Sequence, residues 1–232
     1  MKLGIMQPYL WPYIGYFQLI AAVDEFVVYD NIQYTKRGWI NRNRMLVNDA
    51  DATFTLPLAS ASDYLDVRDR QIADGFVPRT LLGRFEGAYR KAPHYTATIA
   101  LVRDVLDTAE RNLFAYLHRA LQLTTEHLGI DTKITVSSTV PIDHRLTAQD
   151  KVLALCETLG ASAYLNPIGG VDLYARDEFA ARGVDLRFLR ALPVEYRQFG
   201  GPFVPWLSII DVLMFNPVAD VRDRLLTQYE LV

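Results

Sequence analysis

Apolar and polar positions in this chain switch repeatedly between the alternation of a strand and the 3–4 residue spacing of a helix. Residues 2–7, Lys2-Leu3-Gly4-Ile5-Met6-Gln7, read as a short buried strand that stops at Pro8. Tyr13 to Val23 carries Ile14, Phe17, Leu19, Ile20 and Val23 at helical spacing, and Glu25 to Asp30 returns to a β-rich run. Strand, helix and strand within about thirty residues meets the minimum length of a βαβ unit. Arg44 to Leu58 predicts a hairpin, with Met45-Leu46-Val47 and Thr53-Phe54-Thr55-Leu56 flanking the turn-forming Asn48-Asp49-Ala50-Asp51. A further β segment is expected around Leu65 to Ile72.

Amphipathic helices follow over Pro78–Lys91, Tyr95–Ala109 and Leu113–Leu128. Pro93 separates the first two, and Gly129 ends the third. The alternation then resumes. Lys133–Ser138 reads as a strand, Ala148–Leu159 as a helix ended by Gly160, and Ala163–Asn166 as a strand. Leu173–Arg182 reads as a helix ended by Gly183, and Leu186–Leu189 as a strand. The tail is helical over Ser208–Phe215 and Val218–Tyr229, broken at Asn216-Pro217. The pattern predicts an α/β fold: a mainly parallel, Rossmann-like sheet with flanking helices, a β-hairpin insertion and a helical excursion in the middle. No linker or repeat interrupts it, so one domain over residues 1–232 is expected.

Composition narrows the function classes. With 232 residues, half of them hydrophobic, the chain can bury a sizeable core. A formal net charge of −3 argues against non-specific nucleic-acid binding. The single cysteine, Cys156, excludes an intramolecular disulfide and a thiolate metal cluster, and it sits on an apolar helix stripe with Val152, Leu155 and Leu159. The four histidines are scattered without zinc-ligand spacing. No run approaches the roughly 18 apolar residues of a membrane span, and none near the amino terminus suits a signal peptide. A cytoplasmic protein that makes no membrane contact is the expectation.

Candidate chemistry concentrates in the first forty-four residues. Gln7-Pro8-Tyr9-Leu10-Trp11-Pro12-Tyr13-Ile14-Gly15-Tyr16 follows the first strand, where α/β sheets bind ligands. Gly15 permits close approach of a backbone there. The layout is similar to that of the nucleotidyltransferase and class I synthetase superfamily, in which a loop after the first strand leads into a His-x-Gly-His helix. Here Tyr13-Ile14-Gly15-Tyr16 stands in that place, and a tyrosine near pKa 10 offers a neutral donor rather than a proton. A second block, Tyr29 to Arg44, sets Lys36, Arg37, Arg42 and Arg44 around Tyr34 and Trp39, with Asp30 its one acid. Such cations hold an anion while a ring stacks on an aromatic face. The amides Asn31, Gln33, Asn41 and Asn43 add specific hydrogen-bonding groups. A third candidate, Asn166-Pro167-Ile168-Gly169-Gly170, follows a predicted strand and exposes backbone N–H groups, with Asp172 as the expected cap of the next helix.

These same stretches resemble the WbqC-like family. The resemblance lies in Met6 to Tyr9, Pro12 to Ile20, Tyr29-Asp30, Gln33-Tyr34, Lys36 to Asn43, Asn166 to Gly170, Phe203-Val204-Pro205 and Leu207 to Asn216. Trp206 and Thr147-Ala148-Gln149 depart from it, the second replacing a glycine-containing turn. The family takes its name from a member encoded with bacterial O-antigen genes, and relatives occur in other surface-polysaccharide and small-molecule gene clusters. The resemblance implies a step on an activated sugar or amino-acid building block, without supplying the reaction, a cofactor or catalytic residues.

The leading expectation is a transferase that modifies a nucleotide-activated sugar or related amine by acyl or aminoacyl transfer. Lys36, Arg37 and Arg42 would hold the donor's anion, and Tyr9, Tyr34 and Trp39 would enclose its organic part. Gln7, Gln33, Asn41, Asn43, Asn166 and the Gly15, Gly169 and Gly170 backbone would orient it. Tyr13 or Tyr16 would donate to developing charge, and Asp30 is the candidate general base. ATP-dependent adenylyl transfer and non-catalytic binding of a nucleotide or aminoacyl-RNA remain open beside it.

Overall fold

The computed structural model describes residues 1–232. Strand β1 (Lys2–Met6) leads through helix α1 (Ile14–Ala21) to strand β2 (Glu25–Val28). The two strands pair in parallel, Gly4 opposite Phe26 and Met6 opposite Val28, so the expected βαβ unit is present. Strands β3 (Arg42–Val47) and β4 (Ala50–Thr55) form the hairpin as a separate antiparallel sheet. Helices α2 (Pro78–Tyr89), α3 (Tyr95–Leu106) and α4 (Leu113–Leu128) make the central excursion. The remainder runs β5 (Lys133–Val136), α5 (Ala148–Leu159), β6 (Ala163–Pro167), α6 (Arg176–Ala180) and β7 (Asp185–Ala191). It closes with α7 (Ile209–Phe215), α8 (Val218–Asp223) and β8 (Tyr229–Leu231). No helix is long and apolar enough to cross a membrane.

The main sheet has the order β5-β2-β1-β6-β7-β8. Its first five strands are parallel, and β8 is antiparallel on β7. From β1 the chain builds outward through β2 and β5, then returns to place β6 and β7 on the other side. Strand order therefore reverses between β1 and β6. At such a switch point the connections leave the carboxyl ends in opposite directions and open a crevice.

Apolar side chains fill both faces of this sheet. On one face Leu3, Ile5, Val27, Tyr164 and Phe188 pack with Val152, Leu155 and Cys156 of α5 and Phe179 of α6. The other cluster joins α1, the central helices, α7, α8 and the hairpin. Within it Trp11 sets its ring edge-on to Phe54 of β4 and Phe85 of α2, at centroid separations of 6.0 and 5.5 Å. That packing fixes the β1–α1 loop against the hairpin.

Three expectations change. Leu65–Ile72 is not a strand: Val67–Asp69 is a 3₁₀ turn, and the segment pairs with its neighbours through isolated bridges such as Gln33 to Asp66 and Leu58 to Ile72 rather than a continuous ladder. Leu173–Arg182 is helical only over Arg176–Ala180, because Ile168–Leu173 winds into its own 3₁₀ turn, which absorbs Asp172 and leaves Ala175 at the helix cap. The last helix ends at Asp223, and Tyr229–Leu231 becomes the edge strand β8.

Candidate functional site

Two clefts open at the carboxyl ends of β1 and β6, and Met6, Tyr9 and Pro167 line both. The first, about 370 Å³, is aromatic: Tyr13 and Tyr16 of the α1 region, Trp39 before the hairpin, and Trp206 before α7 surround it. Leu189 and Ala191 of β7 form its floor, and Arg44 is its cation. The second, about 660 Å³, is more polar, lined by Gln7, Asn31, Gln33, Asp66, His144, Lys151, Asn166, Gly169 and Gly170 among others.

Backbone ties hold the aromatic cleft together. The Leu10 N–H donates to the Ile40 carbonyl at 3.0 Å, and Asn43 Nδ2 donates to the Leu10 and Trp11 carbonyls at 3.2 and 2.8 Å. From the other side the Ser208 N–H donates to the Arg44 carbonyl and the Ile209 N–H to the Pro12 carbonyl, each at 2.9 Å. Three distant segments therefore meet at one wall. Trp206, 57 % exposed, takes a left-handed φ of 61° and sets its ring 5.1 Å from that of Tyr13. The Arg44 guanidinium lies 5.5 Å from the Trp39 ring centre and donates to the Trp206 carbonyl at 3.0 Å. An exposed ring with a cation over it is a stacking surface for a flat or sugar-like group.

The strap from Leu192 to Ser208 is pinned by a buried acid. Asp211 of α7 accepts from the Tyr89 hydroxyl at 2.8 Å, the Tyr196 hydroxyl at 2.6 Å and Gln198 Nε2 at 2.9 Å. Burial raises its pKa against the lowering effect of those three donors. The sequence showed this acid only as a polar residue inside Ile209 to Phe215, and its partners come from elements far along the chain.

In the polar cleft the central residue is Asn31. Lys151 Nζ donates to its backbone carbonyl at 3.0 Å and to its Oδ1 at 3.1 Å, and Asn31 Nδ2 faces His144 Nδ1 at 2.9 Å. Behind it, Ser137 Oγ lies 2.7 Å from Asn31 Oδ1 and 2.8 Å from Asp30 Oδ1, and the Ser138 N–H donates to the same Asp30 oxygen at 3.0 Å. Lys151 and His144 escaped the sequence reading because each reads as an ordinary surface charge or loop residue; only the fold brings them to Asn31.

The structure sorts the residues expected at the site. Gln7, Tyr9, Tyr13, Gly15, Tyr16, Gln33, Trp39, Asn43, Asn166, Gly169 and Gly170 line one cleft or the other. Tyr16 is engaged elsewhere, its buried hydroxyl donating to the Gln7 carbonyl at 2.8 Å, while Tyr9 donates to Gln7 Oε1 at 3.1 Å. Burial raises the pKa of Tyr9, Tyr13 and Tyr16 alike, so each stays a neutral donor. Lys36 and Arg37 line neither cleft: Lys36 pairs with Asp63 at 3.4 Å in the open. Arg42 donates from Nε to the Gly38 carbonyl at 2.9 Å and lies 5.6 Å from the Trp39 ring centre, bracing that ring. Tyr34 and Asn41 bond to each other at 2.9 Å and are buried, with Asn41 Nδ2 donating to the Leu56 carbonyl.

Asp30 is buried and lines neither cleft. Burial pushes its pKa up, but hydrogen bonds from Ser138 and Ser137 outweigh that and hold it below the usual carboxylate value. A carboxylate so satisfied is a weak base, and Ser137 links it to Asn31 in the cleft wall. Cys156 is buried with its pKa pushed up to about 12, first by burial and then by Glu157, which suits a core residue. No group of three or more His, Cys, Asp or Glu side chains is placed to hold a metal ion.

The architecture is that of an α/β protein whose parallel sheet carries a paired cleft at its switch point. Residues 7–223 match the WbqC-like protein family, and the chain belongs to that family. It is 32 % identical over 232 residues to an uncharacterized protein of Mycobacterium tuberculosis (strain ATCC 25618 / H37Rv), Rv1507c, with 97 % of each chain covered. No solved structure matches it.

Proposed function

We propose that this protein is a cytoplasmic transferase that takes a nucleotide-activated sugar, or a related activated amine, and catalyses acyl or aminoacyl transfer across the two clefts. The observation that carries the reading is the shared wall. An aromatic cleft and a polar cleft meet at Met6, Tyr9 and Pro167, which suits two different reacting partners held side by side. In this reading Trp39, Tyr13 and Trp206 enclose a ring of one partner while Arg44 faces its anionic group. Asn166 and Gln7 orient the other partner in the polar cleft. The Tyr13 hydroxyl, kept protonated by its raised pKa, donates to a carbonyl oxygen as charge develops there. Asp30 keeps Asn31 in register rather than taking a proton.

Thermal-shift and calorimetric titration of the full chain with nucleotide sugars, acyl donors and ATP test this. A ligand at one hundred times its Kd stabilises the folded state by about 2.7 kcal/mol. A nucleotide sugar or acyl donor is expected to raise the melting temperature, and Trp39→Ala to weaken its binding at least tenfold with little effect on stability. The reading fails if neither ligand class binds, or if Trp39→Ala and Arg44→Ala both bind like the wild type. Exchange of labelled pyrophosphate into ATP would favour adenylyl transfer instead.

A further inference from the structure

The polar cleft contains a buried cation whose contacts are carbonyls and a ring. Lys151, 8 % exposed, rises from the first turn of α5 and contacts the Asn31 carbonyl and Oδ1, with Nζ 5.3 Å from the centre of the Tyr29 ring. Burial lowers its pKa; Asp66 and Asp30 act against that, while Arg68 adds to it. An ammonium out of water without a close counter-ion is costly, and an entering anion removes that cost.

Two further features point the same way. Lysine only donates, so the Asn31 atom facing Lys151 is its oxygen and the one facing His144 is its NH₂ group. His144 Nδ1 is therefore an acceptor, which leaves the ring proton on Nε2 as a donor. Helix α5 also begins at this cleft, where Thr147 and Ala148 are lining residues and no side chain caps the first turn. The amino-terminal end of a twelve-residue helix adds partial positive charge to that wall.

We propose that the polar cleft is an oxyanion site, in which Lys151 supplies the counter-charge to a phosphate or carboxylate and His144 Nε2 and the α5 amide groups supply further donors. The proposal rests on reading the paired clefts as the substrate site, and it adds an anion position at Lys151 in the polar cleft to the one facing Arg44 in the aromatic cleft. Asp66, which lines the same cleft, opposes a bare polyanion and accepts from a hydroxyl or amine beside the bound group. The ligand class is then a polar small molecule with one phosphate or carboxylate next to such a group, for example a sugar phosphate or an amino acid.

The test is titration of the full chain with glucosamine 1-phosphate, inorganic phosphate, glycine and acetate, comparing wild type with Lys151→Met, Lys151→Arg and Lys36→Ala. At least one oxyanion is expected to bind saturably, the phosphate and carboxylate arms showing which. Lys151→Met should weaken that ligand at least tenfold, Lys151→Arg less, and Lys36→Ala not at all. A second readout in wild-type protein is the His144 imidazole NMR signal, assigned with His144→Gln, which should move on binding even if Lys151→Met fails to fold. The proposal is overturned if no oxyanion binds, if Lys151→Met binds like the wild type, or if the His144 signal stays still while an oxyanion binds. Nucleotide-sugar binding that is lost in Trp39→Ala but kept in Lys151→Met would overturn the oxyanion site alone and leave the paired-cleft reading standing.

Discussion

Asp30 and Asp211 are both buried carboxylates held by neutral donors, and the balance of burial against those donors drives them apart. Asp211 faces neutral hydroxyls and an amide in an apolar setting, so burial dominates and its pKa rises. Asp30 receives Ser137 and Ser138 donors, which overcome burial and lower its pKa. A carboxylate whose folded pKa is depressed stabilises the fold above its unfolded value, about 3.9, and that contribution is lost as pH falls through the folded value. Asp30→Asn should therefore cost about 1–2 kcal/mol at neutral pH, since the amide oxygen keeps the bonds from Ser137 and Ser138 but without their charge assistance, and an NH₂ group replaces the oxygen that lies 4.0 Å from the Arg68 guanidinium. Denaturant melts between pH 7 and pH 2 should show the difference shrinking in acid; a difference that stays constant or grows would exclude this role. The sequence marked Asp30 as unusual among cations, but Ser137 lies 107 residues away, and no local pattern ties the two together. For the same reason the sequence could not show that the acid expected to act as a base sits among Ser137 and Ser138 donors, outside both clefts. Trp39 and Tyr13 were legible as cleft-lining residues because aromatics crowd the loops there, whereas Asn43 also serves as a buried tie to the Leu10 and Trp11 carbonyls.

At the scale of elements, the period of the apolar positions located β1, α1, β2, the three central helices, α5, β6 and β7, because each buries one regular face. It failed where tertiary pairing decides. Tyr229-Glu230-Leu231 is too short for a period to show and becomes β8 only because the β7 edge is free to pair with it. The segment Ile168–Leu173 winds into a 3₁₀ turn with the Asn166 side chain packed against Gly170. A Cβ at Gly170 would collide with the Asn166 amide nitrogen, whose own hydrogen bond goes to the Pro167 carbonyl. Gly170→Ala should thus displace Asn166 from the polar cleft and cost about 1–3 kcal/mol of stability, read by thermal melts alongside ligand titration. A variant as stable as the wild type with unchanged binding would show that the close approach is without consequence. The backbone also carries strain at the clefts: Ala148 and Trp206 have φ of 45° and 61° and line one cleft each. The buried Trp11, which lines neither cleft, is also left-handed at φ 41°, so such backbone is not confined to the cleft walls.

For the molecule as a whole, the consequence of the chain order is the position of the crevice. Because β6 returns to the far side of β1, the loop after β1 and the turn after β6 face each other, and the hairpin and the strap before α7 close in from outside. That the loop after β1 would lie at the carboxyl edge of the sheet could be read from the strand pattern; that it would border two clefts could not, since strand order is set by packing over more than a hundred residues. Met6 gives direct access to this arrangement. It is one of four methionines, it lines both clefts, and Met45 and Met214 are buried in the core. With ¹³C-methyl methionine labelling and titration by nucleotide sugars and acyl donors, the Met6 signal should move with each bound ligand while Met45 and Met214 stay in place. A ligand that binds tightly and leaves Met6 unmoved would place the functional site elsewhere and contradict the paired-cleft account.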